Sequence, residues 1–302
     1  IERYTGVVYN QIDWENLSRN PSAIKLIEKN LEKVLIVITV NNEEKNIKNR
    51  LDNIYESNYP PDLLRVLVIS DGSMDKTNNI VQSLNYKNLE IYALKQQVGK
   101  SIAQNKLHHF IKDNKIIFFT DAESLFEKDC IQQIVQSYSN PKVGAVGGKL
   151  IFKTNMNDGV SSSQDLYWKY ELKLRSLETS LGILTSMSGA CMSVRSILFT
   201  DLPNDVGEDC FIPLHVASLG YKVIQNDNAL AYDRMNSSST GELRARIRMT
   251  KRNLKGTLMF KSLLNPFISF NYSFSLISHK LLRWFSPFFL LYITIVPFIF
   301  DD

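Results

Sequence analysis

Short runs of apolar residues, mostly β-branched or aromatic, recur through the first half of the chain at residues 34–40, 65–70, 89–94, 115–120 and 143–146. Polar-faced stretches with helical spacing lie between them, at residues 43–57, 76–84, 101–112 and 128–139. Short, continuously apolar strands that alternate with helices predict βαβ units and a mostly parallel sheet covered on both faces. A lead-in helix is expected from Asn20-Pro21-Ser22 to about residue 31, because proline suits the first helical turn. Past Gly148 the alternation stops. The pattern then predicts a long helix over 163–179, a small-residue stretch over 186–193, a helix over 208–219, a strand over 222–225 and a strongly basic helix over 242–260. Two uncharged runs of 17 residues follow, 262–278 and 284–300. The first carries Phe267, Phe270, Tyr272 and Phe274 and reads as an interfacial helix. The second approaches the ~20 residues of a membrane span and reads as the start of a transmembrane segment.

Composition narrows this picture. Of 302 residues, 44% are hydrophobic and 22% charged, which excludes disorder and fibrous repeats. The net charge of +4 is too mild for a dedicated nucleic-acid binder. Its placement says more. Residues 242–283 hold nine Lys or Arg against one acid, Glu242, a local charge of +8 that leaves the remainder at −4. A basic collar beside an apolar run suits the anionic cytoplasmic face of a membrane. Cys130, Cys191 and Cys210 are odd in number and form no Cys-x-x-Cys pair, so they read as buried hydrophobes rather than disulfides or zinc ligands. His108, His109, His215 and His279 lack metalloprotease spacing. No secretory signal opens the chain, which starts at Ile1 without Met, as a piece of a longer protein would.

Open parallel sheets bind ligands at the carboxyl ends of their strands, and three expected strands end in acids: Asn42-Glu43-Glu44, Asp71-Gly72-Ser73 and Asp121-Ala122-Glu123. Each could cap a helix. Together they would crowd negative charge onto one sheet edge, which favours a functional cleft. Residues i and i+2 of an extended segment point to one side, so Asp121 and Glu123 make a hard oxygen site for Mg²⁺ or Mn²⁺ that would neutralise a leaving diphosphate. Glu208-Asp209 after Gly207 reads either as first-turn capping or as a general base. Arg244, Arg248 and Arg252 share a helix face suited to phosphate. Gly99-Lys100-Ser101 mimics the end of a phosphate loop, but Leu94 stands where the upstream glycine is required. No Gly-x-Gly-x-x-Gly and no Gly-x-Ser-x-Gly is present.

Over residues 34–284 the ordered set of these elements resembles the family-2 inverting glycosyltransferases of the GT-A fold, especially the membrane-bound group with cellulose synthase and hyaluronan synthase. The set comprises Thr39-Val40-Asn41-Asn42-Glu43, Asp71-Gly72-Ser73, Gly99-Lys100 with Asn105, Asp121-Ala122-Glu123, Ser188-Gly189-Ala190, and Gly207-Glu208-Asp209. Ser278-His279-Lys280 with Leu282-Arg283-Trp284 is similar to the membrane-proximal end of that group. The resemblance implies that Thr39, Glu43, Asp71 and Ser73 contact the nucleotide and that Lys100 lies by it or its diphosphate. It also implies that Asp121 and Glu123 form the metal motif, that Asp209 is the catalytic base, and that Arg248 closes over the diphosphate. Gly189, Glu208 and Met249 would face the acceptor. Two departures stand out: Glu123 replaces the usual Asp, and the Gln-x-x-Arg-Trp motif reads Ala245-Arg246-Ile247-Arg248-Met249, which removes the aromatic associated with processive synthesis.

The expectation is therefore an α/β GT-A protein, Rossmann-like, with a mostly parallel central sheet and C-terminal interfacial and transmembrane helices. The expected organisation is a lead-in (1–32), a nucleotide-sugar half (33–148), an acceptor half (149–260), an amphipathic interfacial segment (261–283) and the start of a membrane helix (284–302). It would be held at a membrane with the catalytic domain cytoplasmic, taking a nucleoside-diphosphate sugar, a UDP-sugar foremost, and a saccharide or lipid-linked acceptor in contact with membrane lipids. A nucleotidyltransferase making the sugar nucleotide is the alternative enzyme, disfavoured by the lack of glycine between Thr39 and Glu44. A catalytically inactive membrane-bound subunit is the non-enzymatic alternative.

Overall fold

The structure, a computed structural model, describes residues 31–153, 160–234 and 239–300. The lead-in helix expected from residue 20 falls outside the described residues. Four strands form the parallel half of one eight-stranded sheet in the order β3-β2-β1-β4-β7-β6-β8-β5. These are β1 (Val34–Val40), β2 (Leu64–Ser70), β3 (Leu89–Ala93) and β4 (Ile116–Thr120), close to their expected bounds. β1 is buried along almost its whole length, as a strand covered on both faces must be. Leu35, Val37, Leu67, Ile69, Ile117 and Phe119 run from these strands into a core that reaches Leu184, Met192 and Val216 in the second half of the chain.

The second half differs from the expectation. β6 (Val143–Lys153) and β8 (Lys222–Arg234) pair in parallel and extend far past residues 143–146 and 222–225. The register jumps from Gly148↔Asn226 to Lys149↔Leu230. This bulge hides β8 from a hydrophobicity pattern, because Asn226 and Asp227 interrupt the apolar run to take part in hydrogen bonds, Asn226 donating to the Gln133 carbonyl and Asp227 accepting from Gln225. β7 (Met192–Arg195) lies antiparallel between β4 and β6. The two-residue β5 (Leu125–Phe126) pairs antiparallel with β8. Four of the seven pairings are thus parallel.

Helices α1 (Ile47–Tyr55), α2 (Thr77–Ser83), α3 (Lys100–Gln104) and α4 (Cys130–Ser137) connect the strands, followed by α5 (Val160–Leu181), α6 (Glu208–Ser218) and α7 (Ser239–Met259). The helix expected over 101–112 is only the short α3, continued by a 3₁₀ segment, Asn105–Phe110. The change of winding falls at Asn105, whose side chain exchanges hydrogen bonds with the backbone of Leu202. All three cysteines are free and buried.

The ends of β1 and β2 are stitched together by side chains. Asn41 Nδ2 donates to the Asp71 carbonyl at 2.6 Å, Asn42 Oδ1 accepts from the Met74 amide, and Thr77 Oγ1 accepts from the Glu43 amide. Gly72 turns this corner with φ +70°, and a Cβ there would meet the Gln97 amide nitrogen at 2.5 Å, so glycine is required twice over. Beneath the edge, the fully buried Arg50 stacks 3.8 Å from the Phe126 ring and donates to Thr120 Oγ1. Burial lowers its pKa to about 10, which leaves it charged at neutral pH.

The segment after α7 folds as α8 (Lys261–Leu264), α9 (Phe270–Ser275), a π-helical turn (Leu276–Leu281) and α10 (Leu282–Phe300). The apolar run 284–300 is helical as expected, but among the described residues no helix is long and apolar enough to cross a membrane. The basic collar is also not all outward. Lys280 is buried and donates to Ser186 Oγ at 2.6 Å, and His279 is clamped between Glu178 (2.8 Å) and Glu171 (3.0 Å) of α5. Arg283 and Arg175 also donate to Glu171. Burial opposes ionisation of Glu171, but His279, Lys280 and Arg175 outweigh it and hold its carboxyl well below the ordinary range. Removing one partner of such a network strands buried charges of the opposite sign. Glu171→Ala is therefore expected to cost about 3–5 kcal/mol in denaturant unfolding, whereas a cost under about 1 kcal/mol would mean that the network does not hold the segment down.

Candidate active site

Lys100 opens α3, and its ammonium lies 2.6 Å from Asp121 Oδ1 and 2.6 Å from Glu208 Oε1. It thereby joins the end of β4 to the start of α6. Burial alone would lower its pKa, but the two carboxylates outweigh it and raise the pKa above the ordinary lysine value. The loop that delivers Lys100 is held by Asp71, which is buried and accepts the amides of Val98 (2.7 Å) and Gly99 (2.9 Å). Charge-assisted bonds of this kind are the strong ones.

These contacts border a cavity of about 470 Å³, within the ~300–1,000 Å³ typical of small-molecule sites. Seven residues singled out in the sequence line it together: Lys100, Asp121, Gly189, Glu208, Asp209, Arg248 and Met249. They come from widely separated positions in the chain, and the fold alone brings them to one place. Gly189 sits against Glu208, whose Oε1 would lie 3.1 Å from a Cβ added there. Asp209 occupies the first turn of α6, and its carbonyl accepts the Met187 amide at 2.9 Å. Burial and the neighbouring Glu208 charge push the Asp209 carboxyl up to about 6, against the opposing pull of Lys100, Arg252 and Lys280. A carboxylate with that affinity for a proton is poised as a base near neutral pH.

The other sequence candidates lie outside the lining of this cavity. Asp71 accepts the Val98 and Gly99 amides and so seats the Lys100 loop. Ser73 Oγ meets Ser70 Oγ at 2.9 Å and accepts the Asn42 amide. Thr39 Oγ1 is buried with no hydrogen-bond partner among the described residues. Glu43 accepts from Asn46 at 2.9 Å. Burial raises its carboxyl first, and the charges of Glu123, Asp121 and Asp75 add to the effect. The acidic strand ends therefore do converge. Glu123 is exposed, and among the described residues no group of three or more acidic, histidine or cysteine side chains forms a metal-holding cluster.

Sequence reasoning missed part of the lining. Arg252 donates to Ser101 Oγ and the Val206 carbonyl and approaches Glu208 at 4.0 Å. In the sequence it is only one of several arginines on a helix face. Trp168, Phe152, Arg175 and Asp233 also face the cavity, and none belongs to a local motif. The one available signal is the single tryptophan of the long helix.

Residues 35–199 match the family model described as Glycosyl transferase family 2. A relative from Methanococcus voltae, a dolichyl N-acetyl-alpha-D-glucosaminyl phosphate 3-beta-D-2,3-diacetamido-2,3-dideoxy-beta-D-glucuronosyltransferase, is 24% identical over 66% of this chain and 65% of its own length. An N-acetylglucosaminyltransferase from Azorhizobium caulinodans is 23% identical over 78% of this chain and 64% of its own. The chain thus spans a little under two thirds of the length of these relatives. Among solved structures, the mannosyltransferase PcManGT from Pyrobaculum calidifontis, in complex with GDP-Man and Mn²⁺, superimposes with a TM-score of 0.60 at 22% identity, covering 81% of this chain and 74% of that one. TarS 1–349 from S. aureus, in complex with UDP-GlcNAc, gives 0.54 at 16% identity, covering 68% of this chain and 60% of that one. At these identities the likeness is one of fold, a GT-A-like α/β architecture.

Proposed function

The chain belongs to glycosyl transferase family 2, and on that premise we propose that it moves a sugar from a nucleoside-diphosphate donor to a saccharide or lipid-linked acceptor with inversion at the anomeric carbon. The observation that carries this reading is Asp209, its carboxyl raised to about 6, in one cavity with Lys100, Asp121 and Arg248. In the proposed step Asp209 takes the proton of an acceptor hydroxyl. The freed oxygen bonds to the anomeric carbon as the bond from that carbon to the diphosphate oxygen breaks on the opposite face. The electron pair leaves with the diphosphate, towards which Arg248 and Lys100 present positive charge. General-base assistance of this kind is worth ~10²–10⁴-fold.

A divalent metal fits the residues at the end of β4. Asp121 lies in the cavity lining and Glu123 is exposed, and both are near enough to act on the Glu43 carboxyl. Two hard oxygen donors without a complete protein cage suit Mg²⁺ or Mn²⁺, which keep water and phosphate oxygens among their ligands. When bound, such an ion supplies charge that offsets the departing diphosphate. The donor is a UDP-sugar in this proposal, with GDP-mannose as the competitor to test.

The reading extends to a membrane surface. Phe267 is 97% exposed, Phe270 and Phe274 are about two-thirds exposed on the same short segment, and Lys261 is exposed beside them. Exposed aromatics next to cations suit the interface of an anionic bilayer. The protein is expected to float with vesicles containing phosphatidylglycerol, and the double variant Phe267→Ser, Phe270→Ser should lose most of that binding. Equal flotation of the two proteins removes this surface from the proposal.

Transfer itself is tested by incubating the protein with UDP- and GDP-sugars and a glycoside panel while following nucleotide release. An α-linked donor should give a β-linked product, read from the anomeric proton coupling. Asp209→Asn should reduce turnover by ~10²–10⁴-fold while nucleotide affinity changes by less than about threefold. Turnover within tenfold of the parent would remove Asp209 from the mechanism.

A further inference from the structure

The cavity that holds Asp209 also carries an aromatic lining that the proposed chemistry leaves without a task. Phe152 of β6 and Trp168 of α5 meet edge to face, with ring centroids 4.9 Å apart and planes at 69°. Both line the cavity and both are half-buried. The Trp168 indole N–H donates to the Leu150 carbonyl at 2.9 Å, so the side chain's one polar atom is satisfied within the protein. Arg175 holds its guanidinium 5.5 Å from the indole centroid and is itself tied to Glu171. The ring is therefore held by a hydrogen bond, an edge contact and a cation. Trp168 thus lines the cavity as a fixed aromatic group, and a surface already held in place takes up a ligand at little further entropy cost.

The chemistry of the lining divides in two. Trp168, Phe152 and Met187 are apolar, whereas Asp209, Glu208 and Arg252 are polar or charged. A pyranose divides in the same way, with hydroxyls around its edge and an apolar face of C–H bonds. An alkyl ligand would take water from the polar side of the lining and offer Asp209 no hydrogen bond in exchange, which is costly. A purely ionic ligand would leave the indole face in contact with water. We propose that Trp168, supported by Phe152, is the stacking platform for the acceptor sugar and presents one of that sugar's hydroxyls to Asp209. The inference rests on the glycosyl-transfer reading and names the substrate class of its second site: an acceptor that ends in a sugar ring. Trp168 is a positioning residue, and it touches the substrate without taking part in bond making.

The test uses the whole chain labelled with 5-fluorotryptophan, whose three tryptophans, Trp14, Trp168 and Trp284, give separate fluorine resonances. The Trp168 line is assigned by its loss in Trp168→Phe. Methyl β-glucoside, methyl α-mannoside and N-acetylglucosamine are titrated in turn. At least one is expected to shift the Trp168 line saturably while the Trp284 line stays in place. In the transfer assay Trp168→Ala should raise the acceptor KM about tenfold, equivalent to ~1.4 kcal/mol, and Trp168→Phe should recover it to within about threefold. An acceptor KM within twofold of the parent in Trp168→Ala would overturn the proposal. So would a loss of nucleotide affinity as large as the loss of acceptor affinity, since that would assign the ring to the packing of the whole site. If the parent protein releases nucleotide from no donor, the transfer reading fails by itself, and the fluorine line still decides: a saturable shift keeps the sugar platform, and an unmoved line removes it.

Discussion

One ammonium group joins the two halves of this site. Lys100 sits between Asp121, at the end of the parallel half of the sheet, and Glu208, at the start of the helix that carries Asp209. Without it, four carboxylates, Asp121, Glu208, Asp209 and Asp233, would border one cavity against three arginines, Arg175, Arg248 and Arg252. Its position depends on Asp71, whose two backbone contacts hold the preceding loop, and on the Gly72 turn that lets that loop come close. The proton affinity of Asp209 is in turn a balance. Burial and Glu208 push it up, while Lys100, Arg252 and Lys280 pull it down. A base of intermediate strength results from burying several opposite charges together, and no single partner sets it.

The second half of the chain supplies the other side of that balance. β7 enters the sheet antiparallel beside β4, which brings the Met187–Ala190 stretch to the end of β4, where Thr120 Oγ1 donates to the Ala190 carbonyl at 2.7 Å. The C-terminal segment reaches the same region from outside. Lys280 donates to Ser186, next to Met187, and His279 and Arg283 pair with α5, which carries Trp168 and Arg175. A buried ionic network contributes less net stability than its contact distances suggest, because desolvation offsets much of the attraction. Its effect here is to fix where that segment docks.

What the sequence made legible follows the physics of each element. β1, β2 and β4 are buried on both faces, so their residues must be apolar, and the acids that follow them mark the ligand edge. The ordered motifs at Asp71, Lys100, Asp121, Gly189 and Asp209 then pointed to one site, and six of the seven lining residues nominated in the sequence are acidic, basic or glycine. β8 was cut short in the reading because Asn226 and Asp227 serve a bulge rather than a turn. Trp168 and Arg175 went unseen because their role depends on how α5 lies across β6, which no local pattern encodes. Lys280 was read as part of an exposed collar, because a single sequence does not show that a lysine is buried against a serine. Asp71, expected at the nucleotide, also accepts the Val98 and Gly99 amides, a contact that no local pattern shows.

Turnover is expected to be governed by a carboxyl of intermediate proton affinity, that of Asp209. The direct measurement is the pH dependence of kcat/KM, which reports ionisations of the free protein. Asp209 must be ionised to accept a proton, and its value is raised to about 6. The rate should therefore be full above pH 7 and fall tenfold per pH unit as the pH drops below about 6, with that limb absent from the residual activity of Asp209→Asn. A rate that stays level from pH 7 down to pH 5, or an acid limb that persists unchanged in the variant, would contradict the assignment of Asp209 as the base.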